Sequence, residues 1–96
     1  MVAYLVGELE VHDPNGYQRY ASRSRAVVER HGGRYIARGG ATLRLEGDPP
    51  EKRIVLVEFP SVTAAETFYS SPEYQELVPI RQAAAKGRLY VVDGFA

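Results

Sequence analysis

The chain has 96 residues, twelve Lys or Arg against twelve Asp or Glu, and no cysteine. A length of this size is expected of one domain over residues 1–96, burying roughly 60–65% of the surface of its unfolded chain, so covering a further face in a dimer would add to a thin core. Zero formal net charge argues against a nucleic-acid binder and a polybasic membrane sensor, and the lack of cysteine removes disulfides, thiol nucleophiles and thiolate metal sites.

The opening MVAYLVGELE lacks a basic n-region and meets Glu8 too early for a signal peptide or a membrane span. A cytoplasmic location is the expectation. Residues 2–11 alternate as a strand, with Ala3, Leu5, Gly7, Leu9 and Val11 on one side and Val2, Tyr4, Val6, Glu8 and Glu10 on the other. Asp13-Pro14 is a helix start, an N-cap followed by a proline that has no N–H to lose. The helix is expected from Pro14 to about His31, with Tyr17, Tyr20, Ala21, Ser24, Val27, Val28 and His31 on one face. Gly32-Gly33 stops it.

Residues 34–46 are read as a second strand, with a bulge or a close approach at Gly39-Gly40. Residues 47–51 are a turn, and Lys52 to Phe59 is the third and most hydrophobic strand. Ser61 or Thr63 can cap the next helix, the latter as a capping box with Glu66. Ser71-Pro72 restarts helix with a fresh cap. Pro79 opens a last segment to Lys86, because proline mid-helix would kink it, and residues 88–93 close the chain as a strand. Strand–helix–strand–strand–helix–strand is the ferredoxin-like order of an α+β fold, with an antiparallel sheet, strands one and three central and helices on one face. The apolar residues left on the other face predict a second copy packed against it as a dimeric α/β barrel.

Glu58 is a carboxylate in an otherwise apolar strand, costly to bury without a partner. It is a candidate catalytic acid or base, or a member of a structural ion pair. Arg81 follows the broken helix, and its guanidinium suits capture of a carboxylate or a pair with Glu58, Glu8 or a helix end. Arg38, beside the glycines, is a second candidate anion-binding group, or a solvated strand residue. Tyr69 and Tyr74 flank the helix break, where phenols can orient a ligand while their rings pack. His12 is a second catalytic candidate at the end of the first strand. His31 suits a helix C-terminus, and the two histidines offer no metal-ligand spacing. Ser71 is accounted for by capping. No phosphate-binding glycine motif occurs, and no cofactor is expected.

The segments GGRYIARGG, VEFPSVTAAETFYSSPEYQELVPIR and VVDGF resemble the bacterial family known as domain of unknown function thirteen-thirty, over essentially the whole chain. The resemblance implies the ferredoxin-like fold and the dimeric α/β-barrel superfamily. That superfamily holds small monooxygenases, isomerases, haem-dependent enzymes and stress-related proteins. The combined expectation is a homodimer that binds an unknown small molecule in a pocket at Glu58, Tyr74 and Arg81. The alternatives are a cofactor-independent monooxygenase or isomerase, and a structural oligomerisation or stress-response module; fold alone does not choose among them.

Overall fold

Alternation in the first strand sets the architecture. In a computed structural model, which describes residues 1–48 and 52–95, strand β1 (Ala3–Val11) buries Ala3, Leu5, Gly7 and Leu9 and leaves the residues between them half-buried. Strand β3 (Arg53–Phe59) does the same with Val55, Val57 and Phe59. The two pair antiparallel, Leu5 opposite Val57 and Gly7 opposite Val55, so their buried sets share one face. Between the flanking strands β2 (Arg34–Arg38) and β4 (Ala85–Asp93) the order is β2-β3-β1-β4, antiparallel throughout. This is the expected α+β, ferredoxin-like arrangement with strands one and three at the centre.

Helix α1 (Pro14–Arg30) begins where Asp13 accepts a hydrogen bond from the Gly16 amide at 3.1 Å. It buries Tyr17, Tyr20, Ala21, Ser24, Val27 and Val28. Gly32, at φ 79°, takes the left-handed turn that ends it. Helix α2 (Val62–Ser70) is capped by Ser61, whose Oγ accepts from the Ala64 amide at 3.0 Å; the Thr63 alternative lies inside the helix. Ser71 closes α2 by donating to the Phe68 carbonyl at 2.7 Å and opens α3 (Pro72–Gln75) by accepting from the Tyr74 amide at 3.2 Å. Pro79 sits in the first turn of α4 (Val78–Ala84), where no amide proton is missed. Phe59, Phe68, Tyr74, Leu77 and Val28, each at most 2% exposed, form the centre of the core. Each is worth roughly 1.5–3 kcal/mol of burial.

Two boundaries differ from expectation. The second strand ends at Arg38 rather than running to residue 46, and its irregularity falls between Tyr35 and Ala37, not at the glycines. Gly39, at φ 73°, donates its amide to the Ile54 carbonyl and turns the chain away. Since β3 begins at Arg53, no strand among the described residues lies opposite residues 40–46, and Leu43 and Leu45 stay 85% and 89% exposed. The final helix stops at Ala84, because the β1 pairing with β4 extends back to Val11 and Ala85. Of the expected turn, Pro49, Pro50 and Glu51 lie outside the described residues.

Candidate functional site

The helix break at Ser71-Pro72 turns Tyr74 inward, and the restart at Pro79 brings Arg81 beside it. The Arg81 Nη1 donates to the Tyr74 hydroxyl at 2.7 Å. That hydroxyl also shares a 2.7 Å hydrogen bond with the hydroxyl of Tyr20, on α1. Tyr74 is 1% exposed and Arg81 7%, so three polar groups from three helices meet in a nearly dry site. The rings of Tyr69 and Tyr74 lie 5.6 Å apart, and Tyr74 packs on Phe68 at 4.4 Å.

Burial fixes the protonation of this chain. It pushes the Tyr20 phenol up, reinforced by Tyr74. It also pushes Tyr74 up, against the opposing pull of the Arg81 charge. Both phenols are therefore neutral donors near neutral pH. Burial works against the Arg81 charge too, but the facing Tyr74 and Tyr20 oxygens more than offset it, and the guanidinium is held above its ordinary value. Among the described residues no carboxylate lies within ion-pairing distance of Arg81.

Arg81 borders a cleft of about 720 Å³. Its floor is Leu5 and Leu9 of β1. One wall is Ala65, Glu66, Tyr69 and Ser70 of α2, and the other is β4 at residues 85–87 and 89–91, with Gln82 of α4 beside Arg81. The cleft lies between α2 and β4, whose helix-side residues Leu89 and Val91 stay partly open. Beneath it, a cavity of about 20 Å³ lies among Tyr20, Ser24, Tyr35, Arg38 and Tyr74, room for about one water.

The sheet divides the residues singled out in the sequence. Arg81 and Tyr69 line the cleft, and Tyr74 backs it. Glu58 alternates with the buried Val57 and Phe59, so it lies on the opposite face, where its carboxylate accepts from the Arg34 Nε at 2.6 Å. The expected pocket shared by Glu58, Tyr74 and Arg81 is corrected accordingly: the strand parity that buries Val57 carries Glu58 away from the other two. The expected ion pair of Arg81 is likewise replaced by its bond to Tyr74. His12 is exposed at the end of β1, outside the cleft lining, with its amide donating to the Ala84 carbonyl at 3.0 Å. Arg38 is held by the Ala21 carbonyl and lies 4.5 Å from the centre of the Tyr35 ring, also outside the cleft lining. Helical spacing places Tyr20 on the core face of α1, and the structure brings its hydroxyl to Tyr74. Its one legible signal was that a buried phenol needs a partner for its hydroxyl.

A preorganised donor beside an apolar cleft can bind an oxyanion or stabilise one that forms during reaction. Among the described residues no group of three or more His, Asp or Glu side chains is arranged to hold a metal ion, and no helix is long and apolar enough to cross a membrane.

Solved structures share the fold. A protein of unknown function from Rhodopseudomonas palustris, RPA0582, is 28% identical, with a TM-score of 0.73 over 99% of this chain and 83% of its own. SnoaB, a cofactor-independent oxygenase from Streptomyces nogalater, is 16% identical, with a TM-score of 0.71 over 99% of this chain and 94% of its own. A putative antibiotic biosynthesis monooxygenase from Bordetella bronchiseptica is 12% identical, with a TM-score of 0.61 over 99% of this chain and 98% of its own. Among curated proteins none matches the sequence. The family model described as domain of unknown function DUF1330 matches residues 2–95, and the chain belongs to that family.

Proposed function

We propose that this chain is a small-molecule-binding protein of the dimeric α/β-barrel type, and that its binding site is the cleft bordered by Arg81 and Tyr69 and backed by Tyr74. The observation that carries the reading is Arg81 itself. It is a buried cation, 7% exposed, with no carboxylate partner among the described residues, on the wall of a cleft about 720 Å³ in volume. Clefts of this size, mostly apolar with a few convergent polar groups, suit small molecules. The cleft weighs against a purely structural oligomerisation module, which would fill such a space with its own side chains. Thermal denaturation across a panel of metabolites tests the reading: binding raises the midpoint with the logarithm of one plus the ratio of ligand concentration to dissociation constant, and a panel without any shift contradicts it.

The homodimer is supported by the face of the sheet opposite the helices. Tyr4, Val6, Ile54 and Leu56 are half-buried there with no covering layer among the described residues, and Tyr90 and Val92 are 41% and 48% exposed. An apolar face of this kind needs a partner, and a second copy related by a two-fold axis satisfies it. Light scattering at micromolar concentration should give twice the 10.7 kDa mass of one chain; a clean monomer contradicts the dimer.

A second reading is a cofactor-independent monooxygenase or isomerase-like enzyme. The Tyr20–Tyr74–Arg81 chain favours it, because a guanidinium that lines the cleft and is anchored by the Tyr74 hydroxyl can stabilise an enolate oxygen forming there. Oxygen uptake and isomerisation, measured over a panel of quinols and enols, would support this reading; turnover no faster than in buffer would leave the binding role alone.

A further inference from the structure

We infer that the cleft takes an apolar monocarboxylate, its flat hydrocarbon body against Tyr69 and the aliphatic floor and its carboxylate on Arg81. The inference rests on the small-molecule reading above and narrows it to one chemical class.

The donor geometry carries the argument. Nη1 of Arg81 donates to the Tyr74 hydroxyl at 2.7 Å. Its Nε and Nη2 have no hydrogen-bond partner among the described residues. Because no fully enclosed side-chain nitrogen or oxygen among those residues lacks a partner, these two donors are not fully enclosed, and the side chain that carries them lines the cleft. They lie on one edge of the guanidinium, the fork that a carboxylate fills with two parallel hydrogen bonds. Tyr74 fixes the opposite side, so little freedom is lost on binding.

The surroundings set the rest of the ligand. Among the charged side chains of the lining, Arg81 and Lys86 face one carboxylate, Glu66, so the cleft favours a single negative charge. Leu5, Leu9 and Leu89 offer no hydrogen bonds, and a polar body lying on them would be desolvated without return. Tyr69, 40% exposed, presents a ring against which a planar body can stack.

The test is calorimetric titration of the purified full chain with matched acid and amide pairs: benzoate and benzamide, phenylacetate and phenylacetamide, 2-naphthoate and 2-naphthamide. The wild type should bind at least one acid roughly ten-fold or more tightly than its amide, a ratio set by charge-assisted hydrogen bonds. Arg81→Met should bind acid and amide alike, Arg81→Lys should keep a reduced preference, and Lys86→Met should keep most of it. Equal affinity for acid and amide in the wild type, or a preference that survives Arg81→Met, overturns the carboxylate assignment and leaves the small-molecule reading standing. Failure of every acid to bind also overturns the assignment, and the metabolite panel then decides the broader reading separately. The wild-type ratio needs no variant, so the inference is decided even if Arg81→Met does not fold.

Discussion

The Arg81 guanidinium and the Tyr74 hydroxyl meet at 2.7 Å inside the helical layer, seven residues apart in the chain and joined across the restart that opens α4. Tyr74 in turn reaches Tyr20, on a helix 54 residues away. The bond therefore ties the site to the core, and damage to one should register in the other.

Tyr74→Phe removes the hydroxyl that serves both neighbours. The Tyr20 hydroxyl is left without a partner in a nearly dry site, and Arg81 loses its anchor. The expected cost is about 1–3 kcal/mol, read by urea denaturation. Because the two phenols share one bond, Tyr20→Phe in the Tyr74→Phe background should cost less than in the wild type, with a coupling of at least about 0.5 kcal/mol. Strictly additive losses would show that the two hydroxyls do not interact.

Alkaline stability follows from the same pair. Both phenols are raised above the ordinary 10.0 by burial, so the folded chain holds these protons more tightly than the unfolded chain. Their contribution is complete below the unfolded value and is lost as pH rises past it toward the folded values. Unfolding free energy should fall between about pH 9 and 11, as the unfolded chain ionises. The Tyr20→Phe/Tyr74→Phe double variant should show a shallower fall. Equal slopes would contradict the burial account.

Gly87 borders the cleft where β4 passes β1, and an alanine Cβ there would lie 1.9 Å from the Glu8 carbonyl oxygen. Backbone cannot yield as a side-chain tip does. Gly87→Ala is expected to cost more than about 2 kcal/mol. Gly40→Ala, with nothing within 4 Å of the new atom, should stay within about 0.5 kcal/mol of the wild type. Denaturation midpoints of the two variants check the contrast.

Much of the fold was legible because its punctuation is local. Asp13-Pro14, Gly32-Gly33 and Ser71-Pro72 set helix ends through short-range caps, and the caps lie where those residues predict. The stretch from residue 39 to 46 misled because Leu43 and Leu45 alternate like a strand, while strand formation depends on a partner that the local pattern does not reveal. Glu58 misled for a related reason. Ile54, Leu56 and Glu58 alternate with Val55, Val57 and Phe59, and with both sets mainly apolar, parity alone does not say which faces the helices. The link between Tyr20 and Tyr74 is a tertiary contact, and no periodicity predicts it.

The most direct test of the account is a nuclear magnetic resonance titration of the labelled chain with whichever ligand raises its thermal midpoint most. Shift changes should concentrate at the Arg81 side chain, Tyr69, Leu9 and Leu89, around the cleft. Changes centred on Glu58 and Arg34 across the sheet, with the Arg81 signals unmoved, would contradict it.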